Sequence, residues 1–216
     1  MIIAIDGPAG SGKGTITKIL AEKLGIVNIE TGAMYRSIAL AALRKGLSVD
    51  DREALIELAK NVKIEFDKEG NTYLDGENVT NFLRTPEVNA VVSPISSIVE
   101  IREEMVKIQR AFAEGNSVIM EGRDITTVVF PNADYKFYLD ASAEERANRR
   151  FKQNQESGIE MTYEEVLDSI NQRDYNDMHK EVGALKRCND QIYINSTDMK
   201  KEEVVNFILE KIGEVK

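Results

Sequence analysis

Glycines and a lysine near the start of the chain have the spacing of a loop that binds phosphate. Glycine lets consecutive backbone N–H groups point inward at an anion, and the helix that follows adds the positive end of its dipole. Lys13 is placed to reach the outer phosphates of a nucleoside triphosphate and to follow the group that is transferred. The pattern predicts ATP as the bound nucleotide, held by Gly7, Pro8, Ala9, Gly10, Ser11, Gly12, Lys13, Gly14 and Thr15.

The residue after Lys13 departs from the commonest form of this loop. That form places serine or threonine directly after the lysine to hold Mg²⁺, whereas here Gly14 intervenes and Thr15 follows. Gly-Lys-Gly-Thr is the form found in nucleoside monophosphate kinases, and Thr15 is the predicted contact of the Mg²⁺ that accompanies ATP. The alternative is a glycine-rich turn without a ligand. The position of the segment between an apolar strand and a helix favours the phosphate loop.

Three arginines share one face of a predicted helix in the second half of the chain. Arg146, Arg149 and Arg150 stand at positions i, i+3 and i+4. Such a face repels itself unless an anion arrives, and in phosphoryl transfer that anion is the transferring phosphate. The alternative is a solvated face whose charge is balanced by Glu144 and Glu145.

The elements that position these residues follow from the alternation of short apolar runs with amphipathic helical patterns. This alternation predicts an α/β fold, a doubly wound five-stranded parallel sheet whose ligands lie beyond the carboxyl ends of the strands. Asp6, Glu30, Asp124 and Asp140 fall at or just past such ends. The predicted strands are Ile2–Ile5, Val27–Ile29, Ser117–Met120, Tyr135–Leu139 and Ile192–Ile194.

A different pattern interrupts the alternation near Lys63. Ile64–Phe66 and Thr72–Leu74 flank a Lys-Glu-Gly-Asn turn, which is typical of a hairpin. We therefore predict a small antiparallel insert over residues 63–85 and a core formed by residues 1–62 and 86–216. Two capping boxes are also predicted, one at Asp50 with Glu53 and one at Thr162 with Glu165.

Composition excludes several classes of partner. The 216 residues carry a formal net charge of −9, whereas nucleic-acid binding needs a basic footprint. Cys188 is the only cysteine, so no internal disulfide forms, which fits a reducing compartment. No apolar run approaches the ~18 residues of a membrane span, and Met1 leads directly into a predicted strand without a signal peptide. We expect a cytoplasmic protein without nucleic-acid or membrane partners.

Five segments in this order resemble bacterial cytidylate kinases, and the resemblance covers essentially the whole chain. The phosphate loop alone is shared with many kinases, so the other segments carry the specificity. The shared segments are Gly7–Thr15, Glu30–Arg36, Arg84–Val88, Gly122–Asp124 with Thr127–Pro131, and Asp140–Arg146.

The resemblance implies a P-loop nucleoside monophosphate kinase fold in which the 63–85 insert serves the monophosphate and a helical lid covers about 143–162. It implies a monomer that uses ATP with Mg²⁺ and accepts CMP or dCMP. Arg36 suits a bidentate clamp on the acceptor phosphate, although a solvated surface arginine is the alternative. The implied catalytic residues are Lys13, Arg123, Asp124, Arg146, Arg149 and Arg150. The implied acceptor-site residues are Thr31, Tyr35, Arg36, Ser93, Arg102, Arg123, Asp124, Arg173, Asp177 and Lys180.

Two implied roles make chemical sense for cytosine. Asp124 can accept a hydrogen bond from an exocyclic amine, which uracil lacks, and Arg102 can donate to a pyrimidine carbonyl. The resemblance also implies that Ser93 contacts Asp177, whose carboxylate reaches the sugar. The alternative for Asp124 is a structural ion pair with Arg123.

Four residues depart from the pattern of the family. Glu30 replaces aspartate, Thr126 stands where glycine is expected, Lys180 replaces an arginine that contacts the acceptor, and Ala184 replaces proline. Lysine keeps the charge of arginine but loses its planar fork. The departures surround the acceptor side, so they bear on acceptor affinity and selectivity rather than on ATP binding.

The predicted reaction is transfer of the γ-phosphoryl group of ATP to CMP or dCMP. Alternatives are a kinase for another acceptor, such as UMP or shikimate, or a nucleotide-binding sensor that hydrolyses slowly. The Asn/Thr-Lys-x-Asp motif of guanine-nucleotide switches does not occur in the sequence. The 63–85 insert and the Ser93 and Asp177 positions favour the nucleotide acceptor.

Overall fold

Eight strands and eight α-helices are present in the computed structural model, which describes residues 1–67 and 70–214, the last of these by its backbone only. The strands are β1 (Ile2–Asp6), β2 (Val27–Glu30), β3 (Ile64–Phe66), β4 (Thr72–Leu74), β5 (Glu77–Asn78), β6 (Val118–Gly122), β7 (Tyr135–Asp140) and β8 (Ile192–Asn195). The helices are α1 (Lys13–Leu24), α2 (Thr31–Arg44), α3 (Arg52–Asn61), α4 (Pro86–Ile95), α5 (Val99–Ala113), α6 (Ala143–Glu156), α7 (Tyr163–Met178) and α8 (Lys201–Glu214).

A five-stranded sheet has the strand order β2-β6-β1-β7-β8. The pairs β1–β7 and β7–β8 are parallel, with Ile5 opposite Phe137 and Leu139 opposite Ile194. Parallel strands with both faces covered need continuous apolar runs. The predicted doubly wound five-stranded parallel sheet is therefore confirmed, and each predicted strand lies within one or two residues of its observed bounds.

The first of two compact units consists of Met1–Ile26 and Ile119–Lys216. Its main core joins the strand residues Ile3, Ile5 and Phe137 to Leu20 of α1 and Ile208 of α8, all fully buried. Leucine and isoleucine at helical spacing thus place α1 and α8 on the sheet, as the amphipathic pattern predicts.

Helices α6 and α7 pack on each other in the same unit around a smaller apolar cluster of Ala147, Val166 and Ile170. The capping box predicted at Thr162 is confirmed. The Thr162 side chain accepts from the Glu165 N–H at 3.2 Å, and the Glu165 carboxylate accepts from the Thr162 N–H at 2.7 Å. The start of α7 is therefore defined by two reciprocal hydrogen bonds.

The second compact unit is Val27–Val118. Within it α2 packs on α4 and α3 packs on α5, and a three-stranded antiparallel sheet has the order β3-β4-β5. The predicted hairpin is confirmed, with Glu65 opposite Tyr73, and a third strand is added at Glu77–Asn78. Lys68 and Glu69 of the predicted turn lie outside the described residues. The assignment of residues 63–85 as a separate subdomain stays a prediction.

The capping box predicted at Asp50 is wrong by one residue. Asp51 is the N-cap of α3, and its carboxylate accepts from the Ala54 N–H at 3.1 Å. Asp50 alone has glutamate three residues later, but both adjacent aspartates are suitable N-cap residues, and the backbone conformation decides which of them precedes the first helical residue. Over residues 1–67 and 70–214, no helix combines the length and the apolar character needed to cross a bilayer.

Candidate active site

The phosphate loop occupies residues 7–12, between the end of β1 at Asp6 and the start of α1 at Lys13. A Cβ atom on Gly7 would lie 2.0 Å from the backbone oxygen of Leu139, so no larger residue fits there. Gly10 has φ +79°, which side chains rarely adopt, and faces the Cβ of Arg146. Gly7 and Gly10 are therefore required by the close approach of the loop to β7 and α6.

The Lys13 ammonium lies inside this loop. Its Nζ donates to the Pro8 carbonyl at 2.8 Å and to the Ser11 hydroxyl at 3.4 Å, and lies 3.9 Å from a carboxylate oxygen of Glu121. Burial and the charge of Arg123 together lower the pKa of Lys13 to about 7, against the opposing charge of Glu121. Negative charge placed beside the ammonium would raise this pKa again.

Arg146 of α6 contacts the phosphate loop with its buried guanidinium. It donates to the Ala9 carbonyl at 3.0 Å and to the Ala141 carbonyl at 2.9 Å, and it pairs with Asp174 of α7 at 2.6 Å. These contacts fix the guanidinium and neutralise its charge in the absence of a bound anion. Arg146 therefore joins the loop, the end of β7 and α7.

Arg149 lies one turn further along the same face. It donates to the Ser11 carbonyl at 3.3 Å and to the Ser196 carbonyl at 2.8 Å, and its Nε pairs with Glu145 at 2.9 Å. The repulsion predicted for this face is therefore reduced by Glu145 as well as by Asp174, which pairs with Arg146. Arg150 is half-buried on the same helix.

A second charged group of the first unit is centred on the carboxylate of Asp177. Arg123 Nε donates to one oxygen at 2.7 Å, and Lys180 Nζ lies 3.1 Å from the other. Burial alone would raise the pKa of Asp177, but the charges of Arg123 and Lys180 outweigh it and lower the pKa to about 2. The carboxylate is thus ionised and engaged through both oxygens at neutral pH.

Asp124 and Arg173 belong to the same unit. Asp124 is buried at the start of a π-helical turn, Ile125–Val129, and its carbonyl accepts from the Val128 N–H at 2.8 Å. Arg173, on α7, is half-buried and its charge lowers the pKa of Lys13. The ion pair of Arg123 is made with Asp177, 54 residues away in the chain.

Arg36 is buried near the start of α2 in the second unit. Its guanidinium lies 3.9 Å from Glu30, whose carboxylate also accepts from Arg84 at 2.6 Å. Thr31 is buried in the same first turn, whereas Ser93 is exposed on α4. Glu30, the departure from aspartate, therefore contacts two arginines of motifs that carry the resemblance.

Arg102 is the other buried arginine of the second unit. It donates to the Ser96 carbonyl at 3.1 Å, and its guanidinium carbon lies 5.5 Å from the centre of the Tyr35 ring. A guanidinium at that distance from an aromatic ring is oriented by a cation–π interaction. Two predicted acceptor-site residues, Tyr35 and Arg102, are thus neighbours.

Comparison with known proteins agrees with these observations. A profile of the family described as cytidylate kinase matches residues 3–214. The chain belongs to the cytidylate kinase family. The cytidylate kinase of Caldanaerobacter subterraneus subsp. tengcongensis is 48% identical over 210 residues, covering 97% of this chain and 93% of that protein. The cytidylate kinase of Clostridioides difficile is 46% identical over 213 residues, covering 99% and 98%.

Among solved structures, an uncharacterized protein from Eubacterium ventriosum shares the fold with a TM-score of 0.57 at 15% identity, covering 99% of this chain and 98% of that chain. Membership of the cytidylate kinase family makes the chain an ATP-dependent phosphotransferase of the class that acts on CMP. The resemblance read from the motifs is thereby confirmed. The roles of the individual site residues stay predictions.

The sequence patterns do not indicate several side-chain contacts that the structure of this cytidylate kinase family member contains. Asp174 pairs with Arg146, Ser196 bonds Arg149, and Gln191 bonds the Thr126 side chain. Asp6 was noted only as a residue at a strand end. In the sequence, these residues are recognisable only as polar residues beside an apolar strand or helix face.

Proposed function

We propose that the protein transfers the γ-phosphoryl group of ATP to a phosphate oxygen of CMP or dCMP, giving ADP and CDP or dCDP. The observation that carries the proposal is the phosphate loop around the buried Lys13, in a chain whose family match spans residues 3–214. The bond from the γ-phosphorus to the β–γ bridging oxygen breaks, and a bond to the acceptor oxygen forms. ADP leaves with the bridging oxygen.

The acceptor oxygen is already anionic, so the reaction needs no strong general base. Positioning and neutralisation of charge carry the rate in such transfers. In this proposal Lys13 exchanges the Pro8 carbonyl for the β- and γ-phosphates. The loop N–H groups bind the same phosphates, and the buried Lys13 side chain excludes water from that side.

The cations of the first unit would neutralise the remaining charge. Arg123, Arg173 and Lys180 surround the Asp177 region, and we assign Arg123 to the transferring group and the other two to the acceptor. Asp177 holds Arg123 and Lys180 in fixed positions before substrates bind. Preorganised cations cost no reorganisation during the reaction, which is why they stabilise a transition state more than solvent does.

Arg146, Arg149 and Arg150 complete the proposed catalytic set, together with Asp124. The first two arginines donate to carbonyls of the phosphate loop, Ala9 and Ser11. Their guanidinium groups stabilise the loop through these hydrogen bonds. The same groups can also donate to the β–γ bridging oxygen of ATP. Loss of either arginine should therefore lower kcat more than it raises the KM for ATP.

The residues present are compatible with Mg²⁺ brought in by ATP. Among the residues that the structure describes, no group of three or more His, Cys, Asp or Glu side chains could hold a metal. Thr15 has an exposed side chain in the first turn of α1 and offers a hydroxyl oxygen. Mg²⁺ prefers oxygen ligands and commonly keeps several waters alongside substrate phosphates. When bound, it would neutralise charge on the ATP phosphates.

Residues of the second unit have acceptor roles in the same proposal. We assign Arg36 to the acceptor phosphate, Thr31 and Tyr35 to its surroundings, and Arg102 to the carbonyl of the cytosine. Asp124 would accept from the exocyclic amine of the base. The contact between Ser93 and Asp177, and the contact of Asp177 with the sugar, remain part of this proposal.

The finer expectations on the state of the protein belong to the same proposal. We propose that it acts in the cytoplasm as a monomer, without nucleic acid. Sedimentation of the purified chain should give the mass of a single 24.2 kDa copy with and without substrates. A dimer at micromolar concentration would contradict that expectation.

The test of function is ADP production from ATP and Mg²⁺ with CMP, dCMP, UMP, AMP and shikimate as separate acceptors. Strong turnover with CMP and dCMP and little with the others is the expected result. Preference for another acceptor would keep the kinase but refute the assigned acceptor site. Absence of any acceptor-dependent turnover would favour the sensor. A sensor also predicts that CMP alone leaves the melting temperature unchanged, whereas an acceptor must raise it.

A further inference from the structure

We propose that Thr126 is a positioning residue, whose hydroxyl joins Gln191 to Asp6 and so holds the turn after Arg123 and Asp124 against the strand that opens the phosphate loop. The inference rests on the proposed function for its kinetic consequences. The hydrogen-bonded arrangement itself does not depend on the substrate. Thr126 stands where the resemblance leads one to expect glycine, so the arrangement is a feature of this chain.

The carboxylate of Asp6 accepts three hydrogen bonds from two consecutive residues. One oxygen accepts from the Ile125 N–H at 2.8 Å, and the other accepts from the Thr126 N–H at 2.9 Å and the Thr126 hydroxyl at 2.5 Å. Asp6 is fully buried and directly precedes Gly7. The last residue of β1 is therefore bonded to a turn 119 residues away in the chain.

The Thr126 hydroxyl accepts a hydrogen bond as well as donating one. Its partner is the buried side-chain amide of Gln191, and the other end of that amide accepts from the Cys188 N–H at 2.7 Å. A hydroxyl can do both at once, whereas glycine would remove one of the three hydrogen bonds to the Asp6 carboxylate and the acceptor of the Gln191 side-chain N–H. Thr126 thus connects the turn at Cys188–Gln191 with Asp6.

The connection formed by Thr126 lies next to residues that the proposed function assigns to the active site. Thr126 follows Arg123 and Asp124, both assigned to the active site, by three and two residues. The turn Ile125–Val129 is π-helical, with the Phe130 N–H bonded to the Ile125 carbonyl at 2.7 Å. Such turns are uncommon and need support from outside their own backbone. The Asp6 carboxylate provides that support at its first two residues.

The support depends on the charge of Asp6. Burial, with the charge of Asp124 as a smaller cause, raises the pKa of Asp6 to about 6 against the hydrogen bonds from Thr126 and Ile125, which lower it. Lys13 and Tyr138 also interact electrostatically with Asp6. Removal of the hydroxyl should therefore raise the pKa and bring protonation of Asp6 towards neutral pH.

The test compares Thr126→Val, which removes the hydroxyl and keeps the shape, with Thr126→Ser, which keeps the hydroxyl. Thr127→Val is the matched control, because the neighbouring hydroxyl is buried and has no hydrogen-bond partner within residues 1–67 and 70–214. For each protein we would measure kcat and kcat/KM with ATP and CMP between pH 5 and 9. The titration of the Asp6 carboxyl would be followed by ¹³C NMR without substrates.

Thr126→Val should move the acid limb of kcat and the Asp6 titration upward by about half to one pH unit, the effect expected of one lost hydrogen bond. Thr126→Ser and Thr127→Val should leave both at their wild-type positions. The comparison is between variants, because the phosphate of CMP itself titrates at about pH 6. If Thr126→Val does not fold, Gln191→Ala removes the other end of the connection and should shift the titration in the same direction by less.

The proposal would be overturned if the Asp6 carboxyl titrated at the same pH in Thr126→Val and in Thr127→Val. A loss of activity that is uniform with pH and is not restored by Thr126→Ser would also overturn it, since that outcome describes a packing role. The NMR arm separates the two proposals. A shifted Asp6 titration without turnover of CMP would refute the function and retain the positioning role, whereas an unshifted titration with normal turnover would do the reverse.

Discussion

ATP binding should be accompanied by the uptake of a proton at Lys13. Burial and the neighbouring Arg123 hold the pKa of this ammonium at about 7 in the free protein. Triphosphate in the loop places negative charge beside the ammonium and should return its pKa to the ordinary range near 10 or above. Above pH 7, Lys13 is therefore mostly neutral before ATP binds and becomes charged in the complex.

The size of the effect follows from those two values. With a pKa of about 7, roughly one tenth of the free protein carries the charge at pH 8, whereas nearly all of the complex carries it. Binding at pH 8 should therefore take up about 0.9 proton, and at pH 6 about 0.1 proton from this residue. The dissociation constant for ATP should therefore rise roughly tenfold for each pH unit above 7, until the pKa of Lys13 in the complex is reached.

The assay is calorimetric titration with ATP in buffers of different ionisation enthalpy. The slope of the observed enthalpy against the buffer enthalpy gives the number of protons taken up. At pH 8 the triphosphate is itself fully ionised, so its own titration does not contribute. Lys13→Arg is the control, because arginine keeps its charge at every accessible pH and should abolish the uptake.

Equal proton uptake for the wild-type protein and Lys13→Arg at pH 8 would refute the reasoning. Such a result would mean that Lys13 is already charged in the free protein or that another group takes up the proton. A wild-type uptake below about 0.2 proton would refute it directly, since the calculated value from a pKa of about 7 is several times larger.

Two predictions concern stability. Asp177 has a folded pKa of about 2 against an ordinary 3.8, so it stabilises the fold above pH 4 and loses this contribution as pH falls through 2. Its contribution is of the order of 2 kcal/mol. In urea unfolding, the free energy of unfolding of Asp177→Asn should fall less between pH 5 and 2 than that of the wild type. An equal fall in both proteins would contradict this. Gly7→Ala should lower the free energy of unfolding by several kcal/mol, because its Cβ would lie 2.0 Å from the Leu139 carbonyl oxygen. Gly14→Ala, with nothing within 4 Å, should fold as well as the wild type, and equal stability of both variants would refute the steric argument.

The fold could be predicted from the sequence where burial imposes a pattern. Ile3 and Ile5 of β1 and Phe137 of β7 lie in apolar runs, and such runs define buried parallel strands whatever their partners are. β5 was missed because Glu77 and Asn78 are polar and exposed, so the two-residue strand has no hydrophobic signature. Its existence depends on the backbone of β4, to which it bonds.

The sequence by itself determined the phosphate loop and the family. The loop is contiguous, its predicted ligand contacts are backbone groups, and its glycines and Lys13 lie within nine residues. Only the tertiary structure decided that Arg146 bonds Ala9, that Thr126 joins Gln191 to Asp6, and that burial lowers the pKa of Lys13. A long-range hydrogen bond and the loss of solvent both depend on which groups pack around a side chain, and no local spacing records that.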